Sequence, residues 1–168
     1  DPFPAALDDA VVSYQYLLSK GYGPNQILLC GESAGGGLCY ALCLRLKQLK
    51  LPLPCGIVAI SPWTDLTQSG ASLSKELLDF YSACYTQNPK DPLCSPLFGN
   101  LKDLPPSLLF AGGDEILLDD AQRLHQKLLD AGCKSKLYIA PERWHAYVLY
   151  CLAENMQDDF GSINHFLD

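Results

Sequence analysis

Four short, continuous apolar segments alternate with longer segments whose apolar residues recur every three or four positions. The short segments are QILLC (26–30), CGIVAISP (55–62), SLLFAGG (107–113) and KSKLYIAP (134–141). Apolar runs without polar alternation are typical of strands buried on both faces of a sheet. Because helical segments separate them, we expect right-handed crossovers and an α/β fold with about four parallel strands and helices on both faces.

The longer segments predict the helices. They lie at 5–20, 35–50 and 116–131, with a final helix that carries Met156, Phe160, Ile163 and Leu167. A shorter amphipathic stretch, SLSKELLDFYSACY, lies in an otherwise mixed, proline-rich region. Since ligands of such sheets bind at the carboxyl ends of the strands, catalytic residues are expected directly after strands.

Composition supports one globular domain and excludes several classes of function. The chain has 168 residues, of which 48% are hydrophobic and 18% charged, and its net charge is −7. An acidic chain lacks the clustered Lys and Arg that bind nucleic acid phosphates or an anionic membrane surface. No apolar run approaches the roughly 20 residues of a membrane span.

The eight cysteines show neither disulfide nor metal-site spacing. No C-x-x-C occurs, and Cys39 and Cys43 lie four residues apart within a helical pattern, which stacks them on one helix face. Structural zinc sites use other spacings. We therefore expect reduced thiols, a cytoplasmic protein, and no metal or other cofactor.

A glycine-flanked serine lies where the first strand meets the next helix. Residues Gly31-Glu32-Ser33-Ala34-Gly35 fit G-x-S-x-G, the nucleophile elbow. In that geometry the serine occupies a strained turn, and glycine on either side avoids collisions with neighbouring backbone. The turn directs Ser33 Oγ outwards beside the helix N-terminus, where the Ala34 N–H can stabilise an oxyanion.

Other interpretations of the motif are a helix-capping serine and a phosphate-binding loop. A glycine-rich turn in which Ser33 caps the helix remains an alternative. Phosphate-binding loops are excluded, because neither G-x-x-x-x-G-K-[ST] nor G-x-G-x-x-G occurs.

A serine nucleophile needs a general base, because its hydroxyl is barely ionised at neutral pH. His145 follows the fourth strand in a loop and is the predicted base. His125 falls within a helical pattern, and His165 falls in the last turn of the final helix, where positive charge is stabilising in any case.

The acid that orients the base is expected in FAGGDEILLDD, which supplies Asp114, Glu115, Asp119 and Asp120. Asp114 comes first after the third strand and is the predicted acid. Asp119 and Asp120 resemble first-turn helix charges, and Asp65, after the second strand, is the main rival. The order Ser, Asp, His is the one expected of an α/β-hydrolase.

The whole chain resembles the hormone-sensitive-lipase-like branch of the α/β-hydrolases, which includes bacterial carboxylesterases and arylacetamide-deacetylase-type enzymes. The resemblance implies Ser33 as nucleophile, Asp114 as orienting acid, His145 as base, the Ala34 N–H as one oxyanion donor, and short acyl esters as substrates. The segments that carry it, in the family's order, are DDAVVSYQYLLSKGYGPNQILLCGESAGGGL, ISPWTDLTQSG, DPLCSPLFGNLKDLPPSLLFAGGDEILLDDA and PERWHAY.

The chain departs from the family pattern in what precedes the elbow. The family's H-G-G-G loop, which supplies further oxyanion donors, is absent from these 168 residues, as are the first strands of the fold. We therefore expect the C-terminal half of an α/β-hydrolase fold, one partial catalytic domain over 1–168 with a short cap-like insertion at 67–100. Such a chain would be poorly active alone, and would pair with its missing N-terminal half or associate through its first strand. A homodimer is an arrangement found among relatives.

The motifs leave several functions open. A serine esterase would cleave small-molecule esters through an acyl-enzyme on Ser33, and an amidase or deacetylase would use the same machinery. A non-catalytic ligand-binding protein of this fold is a further reading, but hormone receptors of that kind lack the catalytic histidine, which is present here as His145. A protein-interaction fragment is the third.

Overall fold

The computed structural model describes most of the chain, namely residues 1–69 and 75–150 together with Gly161 and Phe166. The predicted final helix and His165 lie outside the described residues.

The predicted strands form one parallel sheet in the order β1-β2-β3-β4. In register, Glu32 pairs with Ile60 at one end of the sheet and Gly112 pairs with Ala140 at the other. All four strands therefore end along the same edge, as a parallel α/β fold requires. The strands span Leu28–Glu32 (β1), Gly56–Ile60 (β2), Ser107–Gly112 (β3) and Ser135–Ala140 (β4).

The helices predicted at 5–20, 35–50 and 116–131 form with boundaries shifted by at most two residues. Helix α2 begins at Ser33 rather than at residue 35, because the chain passes from β1 into the helix without a connecting loop. The helices span Ala5–Ser19 (α1), Ser33–Gln48 (α2), Lys75–Tyr85 (α3) and Leu118–Asp130 (α4), and single 3₁₀ turns lie at Pro24–Gln26, Pro96–Phe98 and Tyr147–Leu149.

The two central strands, β2 and β3, are buried along their whole length. This explains their continuous apolar runs, since side chains on both faces of the sheet are covered. One face packs against α2 and α4 through Tyr40, Cys43, Ile57, Leu109, Leu124 and Leu128. On the other face, Val58, Ile60, Leu108 and Phe110 pack with Tyr147, Val148 and Phe166.

Helix α1 packs on α2 rather than directly on the middle of the sheet. Leu7, Val11 and Tyr14 of α1 meet Leu42 and Leu46 of α2. The Tyr14 hydroxyl also donates to the Pro52 carbonyl at 3.0 Å, which ties α1 to the segment that leads into β2.

The cysteines of α2 behave as small apolar side chains. Cys39 and Cys43 are buried, and burial raises the pKa of both thiols, to about 12 for Cys39. All cysteines that the structure describes are free thiols. Within the same residues, no helix has the length and hydropathy to cross a membrane, and no cluster of three metal-ligating side chains occurs.

Candidate active site

Residues that follow the strands converge on one cavity at the carboxyl edge of the sheet. This cavity of about 470 Å³ is lined by Ser33, Ala34 and Gly35 from the elbow and by His145 from the loop after β4. No charged side chain lines it among the described residues. Most of its remaining wall is apolar or aromatic, and includes Trp63, Leu66, Leu78, Tyr85, Ile116 and Leu117.

Ser33 has the strained backbone that the elbow motif predicts. Its φ is 51°, in the left-handed region, which costs a non-glycine residue on the order of 1–3 kcal/mol. The N–H of Trp63 donates to the Ser33 carbonyl at 2.9 Å and holds the turn against the segment after β2. The residue in the helix-capping position is Glu32, without a side-chain capping bond, so the capping-serine interpretation is wrong.

Of the two glycines that flank the serine, only Gly31 lies too close to neighbouring backbone to carry a side chain. A Cβ on Gly31 would lie 2.3 Å from the Gly35 carbonyl oxygen, whereas a Cβ on Gly35 would meet no described atom within 4 Å outside the adjoining backbone of its own helix. The predicted collision is therefore confirmed for Gly31 and wrong for Gly35. The second close approach lies further along α2, where a Cβ on Gly37 would be 2.0 Å from the Trp63 carbonyl oxygen.

His145 lies in a loop that packs directly on the end of β3. A Cβ on Gly112 would lie 2.2 Å from the Arg143 carbonyl oxygen, so glycine allows the two backbones to approach. The imidazole is about one-third exposed, and its Nδ1 is buried without a hydrogen bond to the described residues. This nitrogen lies 3.9 Å from Oε2 of Glu115.

The carboxylate beside His145 is therefore that of Glu115, and the prediction that pairs Asp114 with His145 is corrected. Glu115 is buried, whereas Asp114 is exposed and its carboxylate makes no hydrogen bond or ion pair within the described part of the chain. The Asp114 N–H donates to the Arg143 carbonyl at 3.0 Å, which fixes the turn after β3. In that turn the first carboxylate faces solvent and the second faces inward.

Two donors hold one oxygen of the Glu115 carboxylate. Oε2 accepts from the Ser61 hydroxyl at 2.5 Å and from the Gly112 N–H at 3.0 Å. Burial raises the pKa of Glu115, and these hydrogen bonds oppose the rise. The other oxygen, Oε1, is buried without a hydrogen-bond partner in the described structure, as is Nδ1 of His145.

Asp65, the main rival for the acid, stabilises a loop instead. Its carboxylate accepts from Thr67 and Ser69 and forms an ion pair of 2.9 Å with Arg123. Burial alone would raise the pKa of Asp65, but the hydrogen bonds from Ser69, Thr67 and Arg123 lower it below its usual value. Asp65 does not line the cavity.

Asp119 and Asp120 occupy the first turn of α4, as predicted. Asp120 also has a role that sequence reasoning missed, since its Oδ2 accepts from the backbone N–H groups of Thr64 at 2.6 Å and Asp65 at 2.8 Å. Burial raises the pKa of Asp120 to about 6. The residue thus fastens the segment after β2 to α4.

His125 lies on α4 away from the cavity. Its Nδ1 is 2.8 Å from the Ser135 hydroxyl of β4, and burial lowers its pKa. It is therefore part of the packing between helix and sheet, and His145 is the histidine that the described structure brings to Ser33.

Similar proteins are esterases of one fold family. A family model described as the alpha/beta hydrolase fold matches residues 1–149. An acetyl-hydrolase of Streptomyces hygroscopicus is 40% identical over 163 residues, which cover 89% of this chain and 54% of that protein. LipF of Mycobacterium tuberculosis, a carboxylesterase/phospholipase, is 36% identical, with 86% of this chain and 43% of that protein covered.

Solved structures with a similar fold include esterases as well. An esterase from the bacterial hormone-sensitive lipase family superposes with a TM-score of 0.94 at 36% identity, covering 99% of this chain and 60% of the other. EstE5, soaked with p-nitrophenyl butyrate, gives a TM-score of 0.92 at 34% identity, covering 99% and 60%. The chain spans about half the length of the curated relatives it matches. It belongs to the α/β-hydrolase fold family, in the branch of the hormone-sensitive-lipase-like esterases.

Proposed function

We propose that this chain carries the nucleophile, base and orienting acid of a serine carboxylic-ester hydrolase that acts on short acyl esters. The observation that carries the proposal is that Ser33, on a strained elbow, and His145, with Glu115 behind it, line one apolar cavity. The names of its relatives, esterase and acetyl-hydrolase, support ester hydrolysis as the reaction class.

In the proposed reaction, Ser33 Oγ attacks the ester carbonyl carbon while His145 accepts the hydroxyl proton. The carbonyl oxygen becomes an oxyanion beside the Ala34 N–H, which belongs to the first turn of α2, where amides have no intrahelical acceptor. His145 then protonates the leaving alcohol, and water hydrolyses the acyl-enzyme by the reverse sequence.

Glu115, rather than Asp114, is the proposed acid that orients His145 and stabilises its imidazolium. Among the described residues, Nδ1 of His145 and Oε1 of Glu115 are both buried without a hydrogen-bond partner, and His145 Nδ1 lies 3.9 Å from Glu115 Oε2. Catalytic hydrogen bonds are often long before substrate binds, so a distance of 3.9 Å is compatible with this pairing.

The lining of the cavity supports an uncharged substrate. Its described wall offers no Lys, Arg, Asp or Glu to pair with a charged acyl group. Leu78, Tyr85 and Leu93 come from residues 67–100, which supports a cap-like role for that insertion. A cytoplasmic location stays a prediction.

An amidase or deacetylase is the second candidate, because Ser33, His145 and Glu115 would serve it equally. A ligand-binding protein is disfavoured by the geometry around His145, since a receptor has no need of a buried carboxylate directed at the imidazole.

The proposal is tested by labelling the full chain with a fluorophosphonate and locating the adduct by peptide mass spectrometry. We expect one adduct on Ser33, lost in Ser33→Ala and strongly reduced in His145→Ala. An adduct that survives in Ser33→Ala, or none on the wild-type chain, would refute it. Hydrolysis of p-nitrophenyl butyrate compared with p-nitroacetanilide then separates an esterase from an amidase.

A further inference from the structure

The residue that directly follows β2 contacts both Glu115 and the backbone beside His145. Ser61 is fully buried, at 0% exposure. Its Oγ donates to Glu115 Oε2 at 2.5 Å and accepts from the Ala146 N–H at 2.9 Å. Because a backbone N–H can only donate, the Ser61 oxygen must accept there, and its only proton is directed to the carboxylate.

The backbone of Ser61 is strained in the same way as that of Ser33. Its φ is 47°, and its own N–H donates to the Phe110 carbonyl of β3 at 2.7 Å. A non-glycine residue persists in the left-handed region only where its surroundings enforce it, and such residues concentrate at functional sites. The neighbouring strand and two further loops enforce it here.

The hydroxyl determines which part of the carboxylate is left for the base. Oε2 of Glu115 is occupied by Ser61 and by the Gly112 N–H, while Oε1 has no partner in the described structure. The same hydroxyl anchors Ala146, the residue next to His145, whose φ of 57° gives the loop its bend. Loss of the hydroxyl would therefore free both members of the pair at once.

We propose that Ser61 is a positioning residue for the reaction. Its hydroxyl fixes the Glu115 carboxylate relative to the His145 loop and stabilises the carboxylate as an anion. This inference rests on the proposed esterase function and adds to it a residue that touches neither substrate nor Ser33.

The test compares kcat and KM for p-nitrophenyl butyrate hydrolysis by the full chain and its Ser61→Ala variant. We expect kcat to fall about 10- to 100-fold with KM within about twofold, because a small displacement of the base has that effect on a chemical step. KM should hold because Ser61 does not line the cavity.

Two variants separate positioning from folding. Ser61→Gly also removes the hydroxyl but relieves the strain of a positive φ, so it is expected to be more stable than Ser61→Ala and to show the same kinetic changes. Ser107→Ala removes a buried hydroxyl that donates to the Pro105 carbonyl at the opposite end of β3, and is expected to leave kcat and KM unchanged.

The outcomes of this inference and of the proposed function are distinguishable. Fluorophosphonate labelling of wild-type Ser33 with kcat retained within threefold in both Ser61 variants, or with a loss that appears in KM instead of kcat, overturns the role of Ser61 alone. Absence of labelling and turnover in the wild type overturns both.

Discussion

Adjacent residues with the same type of side chain have opposite environments in the turn after β3. Asp114 is exposed and Glu115 is buried against Ser61 and Gly112. Both carboxylates follow the same two glycines, so sequence order could not tell which one faces the base. The choice depends on contacts between distant loops, above all the bond from the Asp114 N–H to Arg143.

The role of Ser61 also could not be predicted from sequence order. The one signal that could have identified it is its position directly after the second strand, which is the criterion that selected Ser33 and His145. A serine is common after a strand, and its bonds to Glu115 and Ala146 depend on the packing of three loops.

The flanking glycines provide a prediction about stability. Gly31→Ala should lower the free energy of unfolding by about 2–3 kcal/mol, because its methyl group would overlap the Gly35 carbonyl oxygen, 2.3 Å away. Gly35→Ala should change it by no more than about 1 kcal/mol, since that position is open and helical. Urea denaturation measures both, and equal losses in the two variants would contradict the geometry of the elbow.

At the scale of elements, the sequence predicted the strands and helices well because their signals are local. Continuous apolar runs identified β2 and β3, which are buried on both faces, and helical periodicity identified α1 and α4. Connections between elements were less predictable. Nothing local indicated that Asp120 of α4 would bind the backbone after β2.

The burial of the Asp120 carboxyl makes the stability of the fold depend on pH. The pKa of Asp120 is raised from 3.8 to about 6 in the folded state, so folding favours the protonated carboxyl. Its contribution is full below the unfolded value and is lost as pH rises through the folded value. Relative to Asp120→Asn, the wild type should lose up to about 3 kcal/mol of unfolding free energy between pH 4 and pH 7.

Urea denaturation of both proteins at pH 4, 5, 6 and 7 checks this. The Asn side chain keeps an oxygen that accepts the Thr64 and Asp65 amides but cannot ionise, so it is a matched control. A difference between the two proteins that is constant over this range, or grows in favour of the wild type, would contradict the account.

At the scale of the whole molecule, parallel topology brings together residues that are far apart in sequence. Ser33, Ser61, Glu115 and His145 each follow a different strand, and all four strands end at one edge. This convergence was predictable, because it needs only the order and direction of the strands. The identity of the residues that meet there was predictable only for Ser33 and His145.

Strand β1, which leads into the nucleophile, lies at an edge of the described sheet. Cys30 and Glu32 are exposed on it, and a groove lined by α1, β1 and α2 runs beside it. Association through this edge, with an N-terminal half or another copy, stays a prediction.

The central claim is that the strand ends place the Glu115 carboxylate beside His145, behind Ser33. The most direct test is the kcat for p-nitrophenyl butyrate in Glu115→Gln and Asp114→Asn, two variants that each remove one charge from neighbouring positions. Glu115→Gln should lower kcat by about 10²- to 10⁴-fold, the usual range for loss of acid–base function, while Asp114→Asn should stay within threefold of the wild type. The reverse order, or two variants with wild-type kcat, would contradict the claim.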